Sequence, residues 1–111
     1  MAITVIEELN ATPREVTLPR VVYLDQMLSS SKTSERCRFV YSVEPQGVAC
    51  FGGSNERPDV EIRRTATPID HRPSLVRCPG STGRKDVDLV QDIFDAAGTR
   101  VLRSRVGLTV R

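Results

Sequence analysis

DVDLVQDIFDAAG, residues 86–98, decides the fold class of this chain. Leu89, Val90, Ile93, Phe94 and Ala97 recur at i, i+1, i+4, i+5 and i+8, which winds into one apolar stripe on a helix. Asp86 suits the N-cap and Asp88 the first turn, where carboxylates meet the positive end of the helix dipole. Gly98 suits the left-handed residue just past a helix end. The spacing therefore predicts an amphipathic C-terminal helix over 86–98.

Outward from that stretch, β signals dominate. PGSTGRK (79–85) reads as a flexible connection and SLVRC (74–78) as a strand. Pro68–Pro73 reads as a loop holding His71. DVEIRRTAT (59–67) alternates, with Val60, Ile62 and Ala66 on one side and Glu61, Arg63 and Thr65 on the other. GGSNERP (52–58) is a turn, VACF (48–51) a short strand, and the serine-rich DQMLSSSKTS (25–34) a loop. ITVIEEL (3–9) and EVTLPRVVYL (15–24), joined by NATPR, read as an N-terminal hairpin. The tail TRVLRSRVGLTVR fits a period-2 strand, with a short helix beginning at Thr99 as the competing reading. The expected fold class is α+β in a single domain, 1–111: a hairpin at 3–24, a central sheet at 35–78, and a helix with its tail at 86–111. The sheet has about five to six antiparallel strands.

The clearest strand is SERCRFVYSVE, 34–44. Cys37, Phe39, Tyr41 and Val43 share one face; Arg36, Arg38 and Ser42 share the other. Fourteen of the 16 basic residues are arginine, the exceptions being Lys32 and Lys85. The planar guanidinium suits phosphate and carboxylate alike. Two readings of this face stay open: arginines facing phosphate, or arginines paired with carboxylates such as Glu61 or Glu44 on neighbouring strands.

With 111 residues and a formal charge of +2, the chain suffices for one modest core and implies no partner by charge alone. No apolar run approaches the roughly 20 residues of a membrane-spanning helix. The acidic start MAITVIEELN does not read as a secretory signal, so the expected compartment is the cytoplasm. Cys37, Cys50 and Cys78 are odd in number and lack CxxC spacing, which argues against a disulfide framework. Cys37 and Cys78 are expected buried and unpaired, with Cys50 free to reach another subunit. His71 is the only histidine, and no serine sits in a nucleophile elbow. GSTGRK departs from a phosphate loop, leaving only anion binding at a helix N-terminus. The sequence thus reads as no enzyme, with no catalytic residues, no metal and no cofactor.

One short helix leaves part of a five-stranded sheet uncovered, so a homodimer is expected, with Leu89, Val90, Ile93 and Phe94 packing across the partner. This order of elements, with TLPRV (17–21), SERCRFVYSVE and the glycine-lysine loop into DVDLVQDIFDAAG, resembles the coat proteins of single-stranded RNA bacteriophages, the levivirus type. The resemblance implies dimers that assemble into an icosahedral capsid, made in the bacterial host cytoplasm and residing in the virion. It implies a single-stranded RNA genome, and in the better-known members an RNA hairpin, on the inner sheet face. The residues expected there are Arg36, Arg38, Ser42, Arg63, Thr65 and Arg77. The family closes on a second helix, whereas the tail here alternates. The rival reading is a small dimeric nucleic-acid-binding regulator or interaction module with no shell.

Overall fold

The structure, a computed structural model, describes residues 3–111, and these form strands and no helix. In chain order the strands are β1 (Ile3–Thr12), β2 (Glu15–Val16), β3 (Arg20–Val21), β4 (Tyr23–Ser30), β5 (Ser34–Glu44), β6 (Ala49–Phe51), β7 (Glu56–Arg63), β8 (Thr67–His71), β9 (Ser74–Arg77), β10 (Lys85–Phe94) and β11 (Arg100–Val110). They make a three-stranded sheet β1-β4-β8, a five-stranded sheet β2-β11-β10-β5-β7 and a small sheet β3-β9-β6. All pairings are antiparallel except β2 with β11. The pairing order of the two larger sheets is that of an immunoglobulin-type Greek-key sandwich.

The expected α+β class is overturned, and the C-terminal helix is β10. In a strand, Val87, Leu89 and Ile93 fall on one side with Gln91, and all four are buried. Val90 is buried on the opposite side, with Asp92 beside it. A central strand covered on both faces carries apolar residues at neighbouring positions, so its pattern mimics a helical stripe. The aspartates assigned to a helix start lie along the β10 ladder instead. Asp86 accepts a bond from Thr109 Oγ1 at 2.8 Å, and Asp92 accepts two from Arg103. Gly98 keeps its left-handed backbone, φ 83°, in the hairpin turn between β10 and β11. There its N–H bonds Asp95 O while the Asp95 carboxylate accepts the N–H groups of Ala97 and Thr99. This is a type I turn followed by a left-handed residue, a common hairpin closure.

Three further expectations change. The N-terminal hairpin over 3–24 is absent, because β1 pairs with β4, placing Thr12 opposite Tyr23 and Ile3 opposite Ser30. Residues 25–30, read as loop, are most of β4: Leu24, Gln26, Leu28 and Ser30 are buried in alternation. Residues 67–71 are β8, with Thr67 and Ile69 buried. The tail is a strand, β11, as its period of 2 indicates.

The two larger sheets enclose one core. Its β5 contribution is the predicted set Cys37, Phe39, Tyr41 and Val43, packed with Leu24, Leu28, Ile62, Leu89, Ile93, Val106 and Leu108. The Arg57 guanidinium on β7 donates to Asp70 O on β8, tying the edge of one sheet to the edge of the other.

Candidate functional site

The solvent face of the five-stranded sheet answers the question posed by Arg36 and Arg38. Arg36 meets Asp59 at 3.5 Å and Arg38 meets Glu56 at 2.8 Å, both across the β5–β7 pair. Arg63 lies 3.8 Å from Glu61. On β11, Arg103 bonds Asp92 at 2.7 and 3.1 Å, and Arg100 approaches the same carboxylate at 3.6 Å. Arg105 pairs with Glu44, crossing over β10, and comes within 4.0 Å of Asp88. Arg111 pairs with Glu15. Seven arginines thus face seven carboxylates on one sheet, and the ladder is neutral. Apart from those of Asp92, which is nearly buried, these pairs are exposed and contribute about 0.2–1 kcal/mol each. Their long stems also cover β10, and Arg38 lies 4.8 Å above the Phe94 ring.

The expected RNA-binding residues are therefore only partly brought together. Arg36, Arg38 and Ser42 share the outer face of β5, with Arg63 on the neighbouring β7. Thr65 lies in the β7–β8 turn, where its carbonyl accepts the Thr67 hydroxyl. Arg77 lies on β9 in the small sheet and donates to Gly83 O. Of the expected dimer residues, Leu89, Val90 and Ile93 are fully buried within the chain itself, and Phe94 is half-buried. A larger surface hollow of about 520 Å³ is lined by Glu44, Asp86 and Asp88 with Arg14, a set that disfavours phosphate.

Between the sheets lies a polar layer that periodicity alone does not reveal. Tyr41, Gln91 and Ser104 sit in register across β5, β10 and β11. Gln91 Nε2 donates to the Tyr41 hydroxyl at 3.1 Å, and Gln26 Nε2 on β4 donates to Ser104 Oγ at 3.3 Å, bridging the sheets. The His71 ring stacks on Tyr41 with centroids 4.5 Å apart. Gln26 Oε1, Gln91 Oε1 and His71 Nε2 are buried without a hydrogen-bond partner. Burial pushes the Tyr41 hydroxyl up to about 12, outweighing the Gln91 hydrogen bond. Burial, helped by the Arg57 charge, lowers His71. The imidazole is a half-buried ring stacked on Tyr41, and its lowered pKa favours the neutral form.

Cys78 is bonded to Cys50, closing a disulfide between β6 and the end of β9 with Cα atoms 5.2 Å apart. The expectation of an unpaired Cys78 and an outward-reaching Cys50 is corrected. The backbone explains it: Cys78 N donates to Val48 O, placing the two cysteines on adjoining strands of the small sheet. A separation of 28 residues gave no local spacing to read. Cys37 is buried and free, as its strand phase predicts, and burial together with Glu35 and Asp95 pushes its thiol up to about 11. The anion site expected at a helix N-terminus has no helix to form it.

Among solved structures, the fold is similar to one described as the N-terminal domain of PorA. The TM-score is 0.53 at 16% sequence identity, over 99% of this chain and 96% of that one, a likeness of fold alone. No family model and no curated protein matches the chain.

Proposed function

We propose that the chain is a non-enzymatic β-sandwich interaction module that works in an oxidising compartment. The observation that carries this reading is the Cys50–Cys78 disulfide. Such bonds persist in secreted, periplasmic and surface proteins and are reduced in the cytosol. The non-enzymatic part draws on the chemistry already described: the single histidine is stacked on Tyr41, and seven arginines of the large sheet's ladder pair with carboxylates. A small sandwich with this economy of chemistry presents surfaces rather than reacting groups. The solved neighbour is itself described as a domain, which suits a module.

The shell-forming, RNA-binding reading drew its dimer from a helix that is β10 and its genome face from four arginines, of which Arg36, Arg38 and Arg63 already hold carboxylates. Its remaining alternative, an interaction module without a shell, is the one the physical observations favour. The test is a thiol count on protein taken from its native host with acid quenching and alkylation before any reductant. One alkylated cysteine per denatured chain, Cys37, is the expected result. Three alkylated cysteines would overturn the oxidising-compartment reading.

A further inference from the structure

Outside the neutral ladder, the surface carries two patches of opposite charge, and each is built around exposed apolar side chains. The first is on β1, where Ile6 is 50% exposed in a bulge beside Glu7 and Glu8. The second is at the β3–β4 corner, where Val21 is 40% and Tyr23 48% exposed. There the Arg72 guanidinium sits 5.1 Å over the Tyr23 ring, and Arg20 donates only to the Val21 carbonyl. Among the described residues, Glu7, Glu8, Arg20 and Arg72 are in no ion pair, while Arg36, Arg38, Arg63, Arg100, Arg103, Arg105 and Arg111 of the large sheet's ladder are all paired. These three side chains are the exposed large hydrophobic residues of the described chain.

The patches cannot satisfy each other within one chain. Tyr23 is in register with Thr12, six residues along β1 from Ile6, a span of roughly 20 Å at about 3.3 Å per residue. We infer that the acidic Ile6–Glu7–Glu8 patch of one copy docks on the basic Arg20–Val21–Tyr23–Arg72 patch of a second copy. Tyrosine and arginine beside an apolar neighbour are the composition of interface hot spots, and the opposite charges fix the pairing. The contact is head to tail. A face-to-face twofold pairing would set both patches together but would also bring the two copies of Asp25, which lies on β4 between the two patches, close to each other. A heterologous contact leaves one acidic and one basic patch unused, so copies add in a row.

This inference rests on the interaction-module reading and names its partner. Sedimentation velocity of the oxidised protein over a concentration series tests it. The wild type should associate increasingly with concentration, and added salt should suppress association. Two charge-reversed variants, Glu7→Arg/Glu8→Arg and Arg20→Glu/Arg72→Glu, should each remain monomeric, and an equimolar mixture of the two should associate again. Tyr23→Ser, which alters no charge, should also weaken wild-type association and serves if a charge variant melts non-cooperatively. A wild type that stays monomeric at all concentrations, or association that both reversals leave unchanged, would overturn head-to-tail docking. So would a mixture of the reversed variants that stays monomeric. Each of these outcomes leaves the thiol count, and with it the compartment reading, untouched.

Discussion

At the scale of single residues, His71 and Asp92 make the sharpest predictions. The folded chain lowers the His71 pKa beneath its ordinary value of about 6.5. The unfolded chain therefore binds a proton more readily, and stability must fall as pH drops below about 6.5, levelling off beneath the lowered value. Above about 6.5 the imidazole is neutral in both states and contributes no slope. His71→Phe retains a ring for the Tyr41 stack and should lose this part of the pH dependence in denaturant titrations. An unchanged slope would assign it to carboxylates. Asp92 is nearly buried and holds Arg103 through two bonds, so Asp92→Ala should cost about 1.5–3 kcal/mol, the range for hydrogen bonds to charged groups. Glu56→Ala, at the exposed Arg38 pair, should cost less than about 1 kcal/mol. Thermal melts of the two variants compare these directly. The outward phase of Arg36 and Arg38 was legible from alternation. Their partners Asp59 and Glu56 were not, because they arrive on another strand through the topology.

At the scale of elements, β10 shows where pattern reading runs out. Apolar residues at 89, 90, 93 and 94 satisfy a helical stripe and a doubly covered strand equally well. What separates them is tertiary: β5 on one side and β11 on the other supply the hydrogen bonds. The polar run of β4 misled in the opposite sense, since Gln26 and Ser30 are buried by hydrogen bonding to Ser104 and Glu35. Strands with plain alternation, β5 and β11, were legible. The strand assignment predicts unequal costs along β10. Leu89→Ala, in the core, should cost roughly 2–5 kcal/mol. Phe94→Ala, half-exposed beneath Arg38, should cost less, losing a cation–π contact of about 0.5–1 kcal/mol and part of its burial. Equal costs for the two in urea titrations would contradict the strand phase.

At the scale of the whole molecule, the disulfide adds to the stability of the oxidised chain. Closing a loop of 28 residues removes unfolded-state entropy worth about 3–4 kcal/mol in the chain-entropy account. Reduction, or Cys50→Ser/Cys78→Ser, should lower the melting temperature while leaving the two larger sheets formed, and calorimetry with and without reductant measures it. Sequence could not show this bond, because strand order alone brings Cys50 and Cys78 together. The enclosed segment, residues 51–77, contains β7 and β8, one edge strand from each large sheet. The parallel contact of β2 with β11 lies near the chain's C-terminal end, so tension on the two ends loads those bonds in shear rather than one at a time. If the module is pulled by its ends, the cross-linked segment stays out of the stretched thread. At about 3.3–3.6 Å per residue, an oxidised copy lengthens roughly 90–100 Å less than a reduced one. The bond thus caps how far the oxidised chain can give under load.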